Sequence, residues 1–162
     1  AMAALDATVV VGSAAGERTL PFTDLHRLPG DTPEKETDLE AGEIIKGYVL
    51  QRSALARRSH YLKVRDRAEF EWAIASAAVA LELDDDERIG TARVAVGGVA
   101  TKPWRLPQVE AALEGNKAEP GIFAEAAALS AEGAVPRGDN AFKLELLPRT
   151  VGRALRELQE QV

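Results

Sequence analysis

Hydrophobic and polar positions change rhythm along this chain, and each rhythm predicts a different element. Leu5 to Val11, "LDATVVV", is a β-branched run followed by the turn "GSAAGE" and the short run "RTLPF"; together they predict a β-hairpin. A chain that opens at once on a complete strand reads as the middle of a larger domain, with Ala1-Met2 a cloning scar or an internal start. From His26 to Gly42, "HRLPGDTPEKETDLEAG" is rich in proline, glycine and acids and holds neither helical nor strand periodicity, so it reads as a loop or linker. "EIIKGYVL" (Glu43 to Leu50) and "SHYLKV" (Ser59 to Val64) alternate as strands do, and a basic loop, "QRSALARR", joins them. In the second of these the period of 2 puts Tyr61 and Lys63 on one face and His60, Leu62 and Val64 on the other.

Asp66 stands three residues before Glu69, the spacing of a capping box, and predicts a helix over "RAEFEWAIASAA" with Phe70, Ala73, Ile74 and Ala77 as its apolar face. Val79 to Leu83 then alternates into "DDDE" (Asp84 to Glu87), and "RIGTARVAVGGVA" leads out again, a hairpin with an acidic, solvated tip. The tip lacks the ligand spacing and distal bidentate glutamate of a calcium loop. Three helices follow: "KPWRLPQVEAALEG", with Pro107 near its start and Gly115 at its end; "PGIFAEAAALSAEG"; and "DNAFKLELLPRTVGRALRELQEQV", capped by Asp139 or Asn140 and broken or kinked by Pro148 near Leu147. Strands first and helices last make the class α+β, a small antiparallel β-sheet covered by a three-helix layer and preceded by a β-hairpin.

Composition narrows the chemistry. The 162 residues are 46% apolar and 28% charged, a globular balance, and the net charge of -6 leaves nucleic acid or an anionic membrane only the basic stretch Arg52 to Arg67 to meet. With no cysteine, the chain itself carries no disulfide, thiolate metal site, iron–sulfur ligation or thiol nucleophile, so any redox centre is borrowed. No apolar run reaches the roughly 18 residues that span a bilayer. His26 and His60 lack a second ligand at metal spacing. Ser53 and Ser59 lack the G-x-S-x-G elbow, and "VGSAAGE" and "VGGVATKP" match no phosphate or dinucleotide fingerprint. In the latter, Gly97-Gly98 serves a turn or admits a ligand. Tyr61 and Lys63, side by side, suit an aromatic anionic ligand; the plain reading is a solvated lysine on a half-exposed sheet.

Four separated segments, "LHRLPGDTPEKETDLEAGEII", "HYLKVRDRAEFEWAIASAAVALEL", "ARVAVGGVATKPWRLPQVEAALEG" and "NAFKLELLPRTVGRAL", occur in an order and spacing that resemble the C-terminal half of the FAD-binding subunit of molybdenum hydroxylases, the xanthine dehydrogenase, aldehyde oxidoreductase and carbon monoxide dehydrogenase group. The likeness covers nearly the whole chain, and "HRLPGDTPEKET" points to the bacterial aldehyde-oxidoreductase branch. It implies a remnant of the FAD-binding domain over 1–33 and the flavoprotein C-terminal domain over 34–162. It also implies FAD in the complete subunit, with Ile45 as an apolar flavin contact and Lys63 as a cation near the pyrimidine edge of the ring. The molybdenum cofactor and iron–sulfur clusters belong to partner subunits, and electrons pass from the clusters through FAD to an acceptor. The chain is not expected to be catalytic alone or to retain FAD, because the loops that cradle the pyrophosphate lie upstream of its start. Location is expected to be cytoplasmic, or periplasmic by co-export with a partner. Pro148 departs from the family pattern, which continues with a helix former there. The competing reading is a stand-alone binding or scaffolding domain from a truncated gene; under either, self-association through the hairpin's open edge is expected.

Overall fold

A computed structural model describes residues 1–161 and shows two antiparallel sheets and a helical layer. Strands β1 (Thr8–Ser13) and β2 (Gly16–Pro21) form the expected hairpin. Its alternation buries Val9, Val11 and Leu20 on one face, over Leu25 of the single-turn helix α1 (Phe22–Leu25) and the partly buried Leu39. The other edge of β1 takes β3 (Ile44–Val49), giving the order β2-β1-β3. Residues 26–42 loop between them and are clasped rather than free. The Arg18 guanidinium donates to both carboxylate oxygens of Glu43, at 2.7 and 2.8 Å, and to the Asp38 carbonyl at 2.6 Å.

Helix α2 (Ala54–Arg57), one turn capped by the Ser53 hydroxyl, leads into the second sheet. That sheet runs β4 (Ser59–Val64), β5 (Ala75–Leu83), β6 (Ile89–Gly97) and β7 (Trp104–Arg105), in that spatial order. Three helices then cover one of its faces: α3 (Pro107–Leu113), α4 (Pro120–Ala128) running into the 3-10 turn Leu129–Ala131, and α5 (Lys143–Glu160). Leu147, Val151, Leu155 and Leu158, spaced three or four apart, make the stripe that α5 lays on the sheet. They meet Ala77, Val79 and Leu81 of β5, with Val109 and Leu113 of α3 and Phe123 of α4 in the same core. The α+β class and the sheet under three helices are as the sequence indicated.

Three expectations are corrected. The helix over "RAEFEWAIASAA" does not form: residues 65–74 are a loop and Ala75 already begins β5. Ala75 to Leu81 are all buried, because β5 lies between β4 and β6 and is covered on both faces; a continuous apolar run of that kind has no period by which a strand and a helix differ. Phe70, which was to open the helix's apolar face, is 96% exposed, and Trp72 beside it is 90% exposed. Pro148 does not break α5, which passes through it; helical bonding has already begun at Phe142, whose carbonyl accepts from Leu146 N–H, so the ring removes one interior bond from an 18-residue helix packed along its length. Neither Asp139 nor Asn140 caps α5. The Asn140 side chain turns back to the Arg137 N–H at 2.7 Å, and the cap position falls on Phe142 without a side-chain bond.

Candidate functional site

Cross-strand register decides which side chains share a face of the second sheet. Tyr61 stands opposite Ala78, which stands opposite Ala95; Lys63 stands opposite Ser76, which stands opposite Gly97. Directly opposed residues point the same way. Tyr61 and Lys63 therefore share the face away from the helices, and its floor is built of small residues, as Leu62, Ala77 and Val79 belong to the helix-side core. Ala3, Ala4 and Phe22 pack on Ala78 and Ala95, so the N-terminal segment covers part of this face. Beside that cover lies a cavity of about 320 Å³ bordered by Phe22, Tyr61, Ser76 and Gly97. Gly97 cannot be larger without movement: a Cβ there would stand 2.9 Å from the Ser76 hydroxyl.

The Lys63 ammonium donates to the Glu71 carbonyl at 2.5 Å, and among the described residues no carboxylate pairs with it. Its charge stays uncompensated, and two of its three N–H donors remain for another acceptor. Loop 65–74 holds it there. Arg67 donates to the Phe70 carbonyl at 2.7 Å and pairs with the Glu71 carboxylate at 3.0 Å, and the Ile74 N–H returns to the Val64 carbonyl at 2.9 Å. Gly98 closes the other side with φ +74°; a Cβ on it would fall 2.8 Å from the Ala73 carbonyl oxygen. Gly97-Gly98 is thus a close-approach turn at the border of the Lys63 face. The loop's role is not legible in its residues, whose capping-box spacing points to a helix instead.

Ile45 stands on the other sheet, opposite Val11, and is 37% exposed. Ile44, Tyr48, Val49 and Leu50 are exposed with it, so β3 is an outer strand carrying an apolar border. The structure gives Ile45 and Lys63 to different sheets and places no hydrogen bond or ion pair between them. The remaining candidates take structural parts. His60 bridges β4 to α5 through the Glu157 carboxylate at 2.9 Å and the Gln161 amide at 3.1 Å. Glu157 is held below the usual carboxylate range first by its hydrogen bond from Arg153 and also by that to His60. His26 packs edge-on against Phe22, and burial, with Lys102 nearby, pushes its imidazole down. Ser53 caps α2 and Ser59 donates to the Ala56 carbonyl. Among the described residues no cluster of side chains is arranged to hold a metal ion, and no helix is long and apolar enough to cross a membrane.

Beside the N-terminal segment this face offers a cavity bordered by Ser76 and Gly97, an aromatic edge at Tyr61 and, farther along β4, an ammonium with no carboxylate partner. A pyrophosphate finds no comparable cradle in the same residues.

Known proteins resemble this chain in sequence and fold. The family described as the CO dehydrogenase flavoprotein C-terminal domain matches residues 60–158. The chain is 38% identical over 164 residues to the aldehyde oxidoreductase FAD-binding subunit PaoB of Escherichia coli (strain K12), a match covering 99% of this chain and 47% of that protein. It is 28% identical over 165 residues to the glyceraldehyde dehydrogenase medium chain of Sulfolobus acidocaldarius, covering 97% of this chain and 54% of the other. The solved structure of quinoline 2-oxidoreductase from Pseudomonas putida 86 superposes with a TM-score of 0.86 at 27% identity, over 99% of this chain and 54% of that one. The chain spans about half the length of the relatives it matches. Through the second sheet and the helices that cover it, the chain belongs to the CO dehydrogenase flavoprotein C-terminal domain family.

Proposed function

We propose that the chain is the C-terminal part of the FAD subunit of a molybdenum hydroxylase, and that it helps carry electrons from iron–sulfur clusters through FAD to an acceptor. The observation that carries this reading is the Lys63 ammonium, unpaired by any carboxylate and fixed by loop 65–74 on a flat face inside the family-matched segment. FAD supplies the redox chemistry when bound. Lys63 would hold positive charge beside the ring, where reduction adds negative charge, and Ile45 would give an apolar contact from β3. The iron–sulfur and molybdenum-cofactor subunits would be its partners, and the chain alone would do no substrate chemistry. In this reading the FAD-binding remnant, expected from the sequence over 1–33, would extend through β3, because β3 completes the sheet of β1 and β2.

In the complete subunit within its assembly, Lys63→Ala should lower the flavin midpoint potential and Lys63→Arg should lower it less. A unit charge near contact is worth about 1 kcal/mol in water-like surroundings, roughly 20 mV for a two-electron couple, and more where the site is drier. An unchanged potential in the alanine variant would return Lys63 to a solvated sheet residue and favour a scaffolding role. The isolated chain, mixed with FAD and passed through a desalting column, should emerge colourless, since a ring edge without a phosphate cradle binds weakly.

A further inference from the structure

Whether Lys63 presents a free charge depends on where one neighbouring carboxylate points. Its ammonium donates to the Glu71 backbone carbonyl at 2.5 Å, so the residue that holds Lys63 also carries an acid of its own. That acid is turned elsewhere. One carboxylate oxygen of Glu71 lies 3.0 Å from Arg67 Nε, and Arg67 Nη2 donates to the Phe70 carbonyl at 2.7 Å. The guanidinium is a rigid fork of donors, and here it takes the Glu71 side chain with one arm and the backbone just before it with another.

The two residues are four apart, yet no helix imposes the contact, because residues 65–74 are a loop. Nor does the pair matter much to stability. Arg67 is 67% exposed and Glu71 32%, and ion pairs as open as this contribute little to folding. What the pair does decide is the charge around Lys63. The Glu71 carboxylate hangs two methylenes from the same Cα whose carbonyl already holds the ammonium, so with Arg67 removed a cation stands within its reach. Among the described residues the loop's other acids, Asp66 and Glu69, are exposed and make no ion pair with Lys63.

We propose that Arg67 is a positioning residue for Lys63: it keeps the Glu71 carboxylate off the ammonium, so that Lys63 presents an uncompensated charge to an anionic ring. The consequence for the ring rests on the flavin reading above; the contest for the carboxylate does not.

Two measurements separate these. The full chain is treated with limiting acetic anhydride, and acetylation of Lys63 is followed by peptide mass mapping, with the exposed Lys117, which bridges to Arg88 beside the acidic hairpin tip, as internal standard. In Arg67→Met the freed carboxylate should pair with Lys63 and slow its acetylation about 2- to 5-fold, the worth of one exposed ion pair. Arg67→Met combined with Glu71→Gln should return to the wild-type rate. A loop that merely loosens predicts the reverse, faster acetylation in both variants. In the complete subunit within its assembly, Arg67→Met should lower the flavin midpoint potential toward that of Lys63→Ala, and the double variant should recover it. An acetylation rate in Arg67→Met equal to or above wild type, or a double variant as slow as the single one, would overturn the proposal whatever the flavin does. A potential lowered by Lys63→Ala and untouched by Arg67→Met would overturn it while leaving the flavin reading in place. A potential untouched by Lys63→Ala would overturn the flavin reading, and the acetylation series would still decide whether Arg67 guards Lys63.

Discussion

Removing the Glu110 carboxylate should loosen the joint between the N-terminal segment and the second sheet. Glu110, on α3 and buried, accepts from Arg105 through both oxygens at 2.8 Å and also from the Val94 N–H at 2.8 Å. Arg105 reaches on to the Asp6 carboxylate at 2.6 Å and the Ala3 carbonyl at 3.1 Å. Burial works against the guanidinium, yet its hydrogen bonds and charge contacts with Glu110 and Asp6 hold its pKa above the ordinary arginine value. Glu110→Ala strands that cation with the exposed Asp6 and orphans the Val94 amide. Breaking a buried pair from one side costs about 3–5 kcal/mol; with Asp6 still in place the lower end, about 3 kcal/mol, applies. With a urea slope of about 2 kcal/mol/M, the unfolding midpoint should fall by roughly 1.5 M. The double variant with Arg105→Ala should cost less than the two singles added, by at least about 1 kcal/mol. Amide exchange at Val94 should accelerate in Glu110→Ala more than at Val79, which does not use that carboxylate. A midpoint shift below about 0.5 M with the slope unchanged, or strict additivity in the cycle, would refute the argument.

Glu43 is held down to about 2 from the usual 4.5, first by its hydrogen bond from Arg18 and then by the Glu40 N–H. A carboxylate depressed on folding stabilises fully above its unfolded pKa and ceases to do so as pH falls through the folded value, so the first sheet should weaken between about pH 4.5 and 2. Glu43→Gln should flatten that acid limb in a melting series; an unaltered limb would contradict it. Gly98→Ala should destabilise by at least about 2 kcal/mol, from left-handed backbone plus a clash with the Ala73 carbonyl. Gly115→Ala, at φ +80° with open space around it, should cost only the backbone part, and equal losses at the two sites would show that the close approach is immaterial. Phe70→Ser and Trp72→Ser should each change stability by no more than about 0.5 kcal/mol, as befits exposed loop positions; a loss of several kcal/mol would restore the helix that the sequence suggested.

What could be read from the sequence was whatever repeats along one element. A last helix in the final segment, Pro107 opening α3 and Gly115 following it, the acidic tip of the β5–β6 hairpin and the shared face of Tyr61 and Lys63 are all periodic or terminal signals, and each is found where it was expected. What could not be read depends on neighbours. Asp66 and Glu69 have the spacing of a capping box, but the run after them is pressed between β4, β6 and two covering layers, and burial on both faces outweighs a cap worth about 1 kcal/mol. Alternation in "EIIKGYVL" shows a strand and is silent on which sheet it joins, so Ile45 and Lys63 were assigned to one domain, 34–162, although their strands belong to different sheets. The unpaired hydroxyl of Ser130 was hidden in "AAALSAEG", where a serine near a helix end calls for no comment.

The alanines of β5 and β6 tie these strands of reasoning together. A sheet packed on one side by helices normally carries large or polar side chains on the other, yet here that face is Ser76, Ala78, Ala80, Ala95 and Gly97. Small residues on an outer face contribute little hydrophobic area of their own, and they let a second layer approach closely. Ala3 and Ala4 take that approach over Ala78 and Ala95, with Arg93 and Arg105 both reaching Asp6 to hold the segment down. Toward Ser76 and Gly97 the same small-residue floor continues beneath the cavity of about 320 Å³, Ser76 itself being only 5% exposed, and at that end of the strands stands Lys63. If the floor were small only to seat the N-terminal segment, enlarging Ser76 to Leu should leave flavin affinity in the complete subunit unchanged. If it also seats the ring, Ser76→Leu, which overpacks a buried position, should weaken FAD retention by more than an equally destabilising substitution elsewhere in the sheet does. Loss of retention in Ser76→Leu beside normal retention in Ala80→Leu, which overpacks a buried position of the same strand away from Lys63, would tie the effect to the end of the face where Lys63 stands.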